Sequence, residues 1–198
     1  KRGVLAVDWQ RERSLGAAVA SGSYSTIGGG RNNTASGFES VVAGGNGNQA
    51  IGTNTSIGGG TGNAGSSVTG TIAGGSSNII DATSVSGSVG GGSSNQLNTA
   101  PYATIGGGQG NQVNANFGCI PGGYGAFTRG TIGRYAYSSY GLAGQGKHQH
   151  SITLTKQTTA DATVTNATVD AAAATVVNSV VMADNSANAF DIFVTARQ

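Results

Sequence analysis

Two histidines, His148 and His150, come closest of all residues in the sequence to a metal-binding motif. Residues two apart on a β-strand share a face. If three copies of the chain assembled around one axis, as the repeat described below suggests, six imidazoles would come together. Imidazole is a common ligand of transition metals. Two exposed polar residues on a strand explain the motif better, because one short motif without other ligands is a weak signal. We therefore assign no metal ligand and expect no cofactor.

The remaining reactive residue types do not form a catalytic pattern. Cys119 is the only cysteine, and we expect it to be a small buried core residue, because no basic neighbour activates its thiol. Glu39 and Asp81 do not recur with the repeat described below, so they give little support to paired-carboxylate hydrolysis. The glycine clusters lack the Lys-Ser/Thr of a phosphate-binding loop. The sequence predicts no catalytic residue and a protein that is not an enzyme.

Charge is scarce and unevenly placed. The chain of 198 residues carries a formal net charge of +2, which is too small to indicate a nucleic-acid partner. Between Ser14 and Thr128 the only acidic or basic residues are Arg31, Glu39 and Asp81. No apolar run approaches the roughly 20 residues that span a bilayer, so we expect no membrane insertion.

A tandem repeat dominates the middle of the chain. A branched apolar residue, here called the anchor, precedes each glycine cluster at intervals of 15 to 17 residues. The anchors are Ile27, Val42, Ile57, Ile72, Val89, Ile105 and Ile120. Six residues after each of the first six anchors stands asparagine, namely Asn33, Asn48, Asn63, Asn78, Asn95 and Asn111. A smaller or apolar residue follows two positions later.

A repeat of about 15 residues fits one coil of a β-solenoid, with two short strands and two turns. Anchors would point inward and stack, and the asparagines would form a ladder from coil to coil. Each coil supplies little apolar surface compared with the entropy lost on ordering it. We therefore expect lateral association of identical chains, as a homotrimer. The predicted domains are an N-terminal lead over 1–22, the Gly-rich solenoid over 23–133 and a C-terminal antiparallel module over 134–198.

At these residues the sequence resembles known families. The segments 25–37 and 103–111 are similar to the head repeats of trimeric autotransporter adhesins, and more so to the related repeats of bacteriophage tail fibres. The segments 6–13 and 130–139 resemble the flanks of such repeats. This resemblance implies a trimeric β-roll on a virion or cell surface. The Gly-x-His-x-His spelling that ends at His150 also resembles an iron-binding segment of some trimeric phage fibres.

The C-terminal part reads as an antiparallel, sandwich-like module. Residues 150–156, 162–169, 174–182 and 189–197 have strand-like alternation, and the abrupt end at Gln198 leaves a truncation of the module open. The densest group of aromatic and basic residues lies where the solenoid hands over to it. This group could recognise a receptor or cap the last coil, and it comprises Arg134, Tyr135, Tyr137, Tyr140 and Lys147.

The pattern favours an all-β structural fibre or appendage protein of a virion, extracellular, which presents a host-attachment module. Its expected partners are two further copies of itself, other virion proteins at the N-terminal side and a host surface receptor, for which a glycan is one candidate. A bacterial surface adhesin is the alternative, which a membrane-anchoring coiled coil would support. An ice-binding or scaffold solenoid ranks third, because the outward Ser and Thr positions are irregular.

Overall fold

A computed structural model describes residues 1–14, 16 and 18–138, and the backbone of a strand at 149–152. Its strands are β1 (Val7–Asp8), β2 (Thr26–Ile27), β3 (Thr34–Ala35), β4 (Val41–Val42), β5 (Gln49–Ala50), β6 (Ser56–Ile57), β7 (Ala64–Gly65), β8 (Thr71–Ile72), β9 (Ile79–Ile80), β10 (Ser88–Val89), β11 (Gln96–Leu97), β12 (Thr104–Ile105), β13 (Gln112–Val113), β14 (Cys119–Ile120), β15 (Tyr135–Ser138) and β16 (Gln149–Ile152).

The strands stack into two sheets that run along one axis. A ten-stranded sheet has the order β1-β2-β4-β6-β8-β10-β12-β14-β15-β16, and a six-stranded sheet has the order β13-β11-β9-β7-β5-β3. Neighbours up to β15 pair in parallel, one coil apart. From β2 to β14, consecutive strands therefore alternate between the two sheets, which confirms the predicted all-β solenoid. No membrane-spanning helix occurs among the residues that the structure describes.

The predicted anchors form one stacked column in the ten-stranded sheet. Ile27 pairs with Val42, and Val42 pairs with Ile57; the same register continues to Ile120. Each anchor is fully buried. The residues eight positions after the anchors form the facing column in the six-stranded sheet, from Ala35 to Val113. The core is thus a narrow strip between two short-stranded sheets.

Core volume is distributed differently in the two halves of the solenoid. In the first three coils the residue two positions before the anchor has a side chain, and the facing residue is small. These pairs are Ser25 with Ala35, Ser40 with Ala50 and Thr55 with Gly65. In the next three coils the facing residue is large and its partner is small. These pairs are Gly70 with Ile80, Gly87 with Leu97 and Ala103 with Val113. Interiors are close-packed, so the sum of the two volumes matters more than either residue.

The asparagine column forms the predicted ladder, in which the same type of hydrogen bond recurs from each coil to the next. The backbone N–H of Asn48 donates to Oδ1 of Asn33 at 3.0 Å, and the next four steps repeat it at 3.0–3.1 Å. Each Nδ2 also donates to two glycine carbonyls, which for Asn78 are those of Gly74 at 2.9 Å and Gly92 at 3.0 Å. Buried polar groups are costly unless paired. Here each side-chain amide pairs with one glycine carbonyl of its own turn and with one of the equivalent turn in the next coil.

The two irregular coils have local explanations. In the 17-residue coil the carboxylate of Asp81 accepts hydrogen bonds from the backbone N–H groups of Thr83 at 3.1 Å and Ser84 at 2.9 Å. This turn absorbs the extra residues of the coil. In the last copy Ala126 replaces asparagine, and its N–H donates to Oδ1 of Asn111 at 2.9 Å. The ladder therefore ends there, since alanine offers no side-chain acceptor.

The direction of the strands in the ten-stranded sheet reverses after β15. β15 pairs in parallel with β14 through Cys119 and Tyr135, and it pairs antiparallel with β16. The other strands predicted in the C-terminal part lie outside the described residues.

Candidate functional site

The two histidines are not placed together by the described part of the chain. His150 belongs to β16, where its backbone pairs opposite Tyr137. His148 lies outside the described residues, as do Tyr140 and Lys147 of the predicted aromatic and basic group. Over residues 1–14, 16 and 18–138, no three His, Cys, Asp or Glu side chains cluster as metal ligands. The metal hypothesis for His148 and His150 stays a hypothesis.

Cys119 is not the buried core residue that the sequence predicted. It is partly exposed and lies in β14 immediately before Ile120, which points inward. Successive strand residues face opposite sides of a sheet, so Cys119 belongs to the outward column. This column contains Thr26, Val41, Ser56, Thr71, Ser88, Thr104 and Cys119. The prediction was wrong because the neighbour of an inward anchor must face outward.

The two acidic residues of the middle region lie in different coils. Glu39 lies at an exposed corner of the second coil with φ of 53°. Asp81 belongs to the fourth coil, where its carboxylate also accepts the N–H of Thr99 at 2.8 Å and the hydroxyl of Ser84 at 2.6 Å. Burial raises the pKa of Asp81, but these hydrogen bonds outweigh it and lower the pKa overall. The carboxylate therefore stabilises this turn.

A polar plug closes the N-terminal end of the core, and the sequence analysis missed it. Asp8 pairs in register with the anchor Ile27, so a carboxylate occupies an anchor position. Its side chain is fully buried and forms an ion pair with Nη2 of Arg13 at 2.9 Å. Oε1 of Gln10 accepts the N–H of Asn33 at 2.8 Å, which starts the asparagine ladder. Gln10 follows its anchor position by two residues rather than six, so the repeat pattern did not reveal it.

The plug also fixes the protonation state of Asp8. Burial raises the pKa of this carboxyl, but hydrogen bonds from Arg13 and from the N–H groups of Ala20 and Gln10 lower it further than burial raises it. The N–H of Ala20 lies 3.2 Å from Oδ2 of Asp8. The carboxylate is therefore charged at neutral pH and ties Gln10, Arg13 and Ala20 together at the N-terminal end of the solenoid. Beside it, a shallow groove is lined by Arg11, Glu12, Gly30, Arg31, Gly45 and Asn46.

An apolar ridge runs along one corner of the solenoid, at the turn that enters the ten-stranded sheet. It occupies the positions three and four residues before the anchor column. Its exposed side chains are Val4, Leu5, Tyr24, Phe38, Val68, Tyr102, Phe117 and Ile132. The rings of Tyr102 and Phe117 stack with centroids 5.3 Å apart, and Tyr24 meets Phe38 edge-on at 5.6 Å. Exposed apolar patches of this extent commonly mark interaction surfaces.

The described part of the predicted recognition group is also at the surface. Tyr135 and Tyr137 are 42% and 44% exposed on β15, so their rings are available for contact. Arg134 is partly buried, and burial together with the charge of Arg129 lowers its pKa. The guanidinium Nη1 donates to the carbonyl of Thr128 at 3.3 Å, which ties it to the preceding turn. Aromatic exposure is therefore the feature of this group that suits recognition.

Comparison with known proteins adds no relative to this description. The chain matches no protein-family model, no curated protein and no solved structure.

Proposed function

We propose that the chain is a structural fibre or appendage protein of a virion, assembled as a homotrimer, which presents a terminal module to the host-cell surface. The observation that carries this proposal is the continuity of the solenoid. Two hydrogen-bonded sheets and an internal asparagine ladder run coil after coil along one axis. Such a repeat forms a stiff rod, which suits a spacer between a particle and a cell.

The chemistry of the described residues, both inside the coils and at the surface, supports a role in display rather than in catalysis. The asparagine side chains inside the coils donate to and accept from neighbouring backbone groups, so they build the rod. The exposed rings of Tyr135 and Tyr137 stand where the parallel array ends. Tyrosine is enriched at binding hot spots, so we place host recognition, with a glycan as one candidate receptor, at this end.

An ice-binding surface is less well supported. It would need a regular outward array of threonine, whereas the outward column of the ten-stranded sheet mixes Thr, Ser, Val and Cys, as at Val41 and Cys119.

Gold-labelled antibodies against the full chain test the proposal directly on particles in electron micrographs. We expect label on fibres or other appendages of virions, and binding of the purified chain to host cells. Tyr135→Ser with Tyr137→Ser should weaken cell binding, while Tyr124→Ser, at an exposed tyrosine of the last copy, should not. Label confined to bacterial envelopes would instead support the adhesin.

A further inference from the structure

A column of glycines in the solenoid has no explanation within a single chain. The second residue after every anchor is glycine, forming a glycine stripe of Gly29, Gly44, Gly59, Gly74, Gly91, Gly107 and Gly122. At six of these, a β-carbon would meet no heavy atom within 4 Å; at Gly59 the nearest would be 4.0 Å away. Only Gly59 and Gly91 have positive φ. For the other five, neither crowding nor backbone conformation requires glycine.

The apolar ridge presents the converse problem. Leu5, Tyr24, Tyr102 and Phe117 adopt φ of 53° to 59°, a left-handed conformation that is unfavourable for bulky side chains. Asn54 occupies the same position of the third coil with φ of 56° and suits it better. Large apolar residues are therefore held in strained positions where they contact water, which calls for a function outside the chain.

We propose that the apolar ridge of one copy packs against the glycine stripe of the next copy, closing a cyclic trimer. The two surfaces flank the ten-stranded sheet, one before and one after each anchor strand. A three-fold ring needs two different, complementary patches on each chain, because each interface joins one patch to the other. Here a protruding row of side chains on one corner faces a row without side chains on the other. This inference rests on the homotrimer of the proposed function.

Periodicity, area and charge together favour a second copy as the occupant. Ridge and stripe both run parallel to the axis and repeat with the coil spacing of about 4.8 Å, which an identical solenoid matches at every coil. Half-exposed side chains of this size leave on the order of 100 Å² each in water, so the eight ridge residues expose about 800 Å², the contribution per partner of a standard interface. The eight ridge residues carry no charge, and the single charge at the same corner positions, Glu39, would face the uncharged glycine stripe of the next copy, so identical chains do not repel one another there.

Three full-length variants test this placement by light scattering at low micromolar concentration. The ridge variant carries Tyr102→Asn and Phe117→Asn, since asparagine tolerates the left-handed conformation and should leave each coil folded. The stripe variant carries Gly74→Gln and Gly107→Gln, where the isolated chain has open space. The control carries Ala64→Gln and Ile79→Gln, in the outward column of the six-stranded sheet where Gln49, Gln96 and Gln112 already stand.

We expect wild type and control to have the mass of three chains, and both test variants to fall to the mass of one chain at the same concentration. Far-ultraviolet circular dichroism at low temperature should keep its β signal, but the melting temperature of both test variants should fall well below that of the control, because a single solenoid has little core of its own. Test variants that remain trimeric would overturn the placement while leaving the trimer intact. Dissociation of the ridge variant alone would overturn the pairing of ridge with stripe. A monomeric, folded wild type would contradict the trimer of the proposed function itself.

Discussion

Gly87 and Leu97 belong to one coil and share one space in its core: a β-carbon at Gly87 would lie 2.6 Å from Cδ1 of Leu97. In the second coil the same two positions hold Ser40 and Ala50. The volume of the core is therefore set by the pair rather than by either residue, which predicts strong coupling between them.

A double-mutant cycle on this pair tests the shared volume. Leu97→Ala should cost about 2–5 kcal/mol through the cavity it leaves. Gly87→Ser should cost about 1–3 kcal/mol through overpacking, mainly against Leu97 and in part against the carbonyl oxygen of Ser84, which would lie 2.9 Å from the new β-carbon. The double variant recreates the pair found at Ser40 and Ala50, so it should be more stable than the sum of the single effects predicts. Denaturant unfolding measures all three, and additive costs would contradict the pairing.

Ser67 and Ser84 occupy equivalent positions in neighbouring coils but differ in bonding. The buried Oγ of Ser67 makes no protein hydrogen bond, whereas Oγ of Ser84 donates to Asp81 at 2.6 Å and accepts the N–H of Ala100 at 3.0 Å. Ser67→Ala should leave stability unchanged or raise it by about 1 kcal/mol, and Ser84→Ala should lower it by about 1–3 kcal/mol. Thermal unfolding measures the stability of both variants. Equal losses would show that the hydrogen bonds of Ser84 contribute no extra stability.

The asparagine ladder should make its central members indispensable. Asn78→Ala removes the acceptor of the Asn95 N–H and the donor to two glycine carbonyls. Each buried group left unpaired costs about 1–3 kcal/mol, so we expect a loss of several kcal/mol. Asn46→Ala, at a partly buried site outside the ladder, is the matched control. A loss at Asn78 no larger than at Asn46 would mean that the ladder contributes little.

The polar plug should make the N-terminal segment of residues 1–20 sensitive to acid. The folded chain lowers the pKa of Asp8, so the stabilisation is present above the unfolded value of about 3.9 and disappears as pH falls through the lower folded value. Hydrogen-exchange protection factors over residues 1–20, corrected for the intrinsic exchange rate at each pH, should therefore fall below about pH 4, before those of the central coils. Arg13→Ala should move this loss to higher pH because it removes the ion pair, and Arg11→Ala should not. An unchanged profile in Arg13→Ala would refute the role of the pair.

Much of the fold was predictable because the solenoid repeats its physics in every coil. The anchors and the asparagine column follow directly from spacing, and the structure confirms both. Cys119 was wrongly predicted to be buried, although the alternation of side chains along a strand places the neighbour of an inward anchor on the outer face. The plug at Asp8 and Gln10 was hidden because the terminal coil satisfies the same hydrogen bonds with different residues at different spacing. The ridge escaped notice because its members combine two adjacent positions, neither of which is apolar in every coil.

The central claim is a trimeric rod, and the mass of the intact wild-type protein tests it most directly. Sedimentation equilibrium over a micromolar concentration range should give three times the chain mass of 19.3 kDa, with no dissociation on dilution. Ile57→Asp should abolish that species by burying an unpaired charge in the anchor column, whereas Thr61→Asp at an exposed site should keep it. A folded wild-type protein with the mass of one chain across this range would contradict the account.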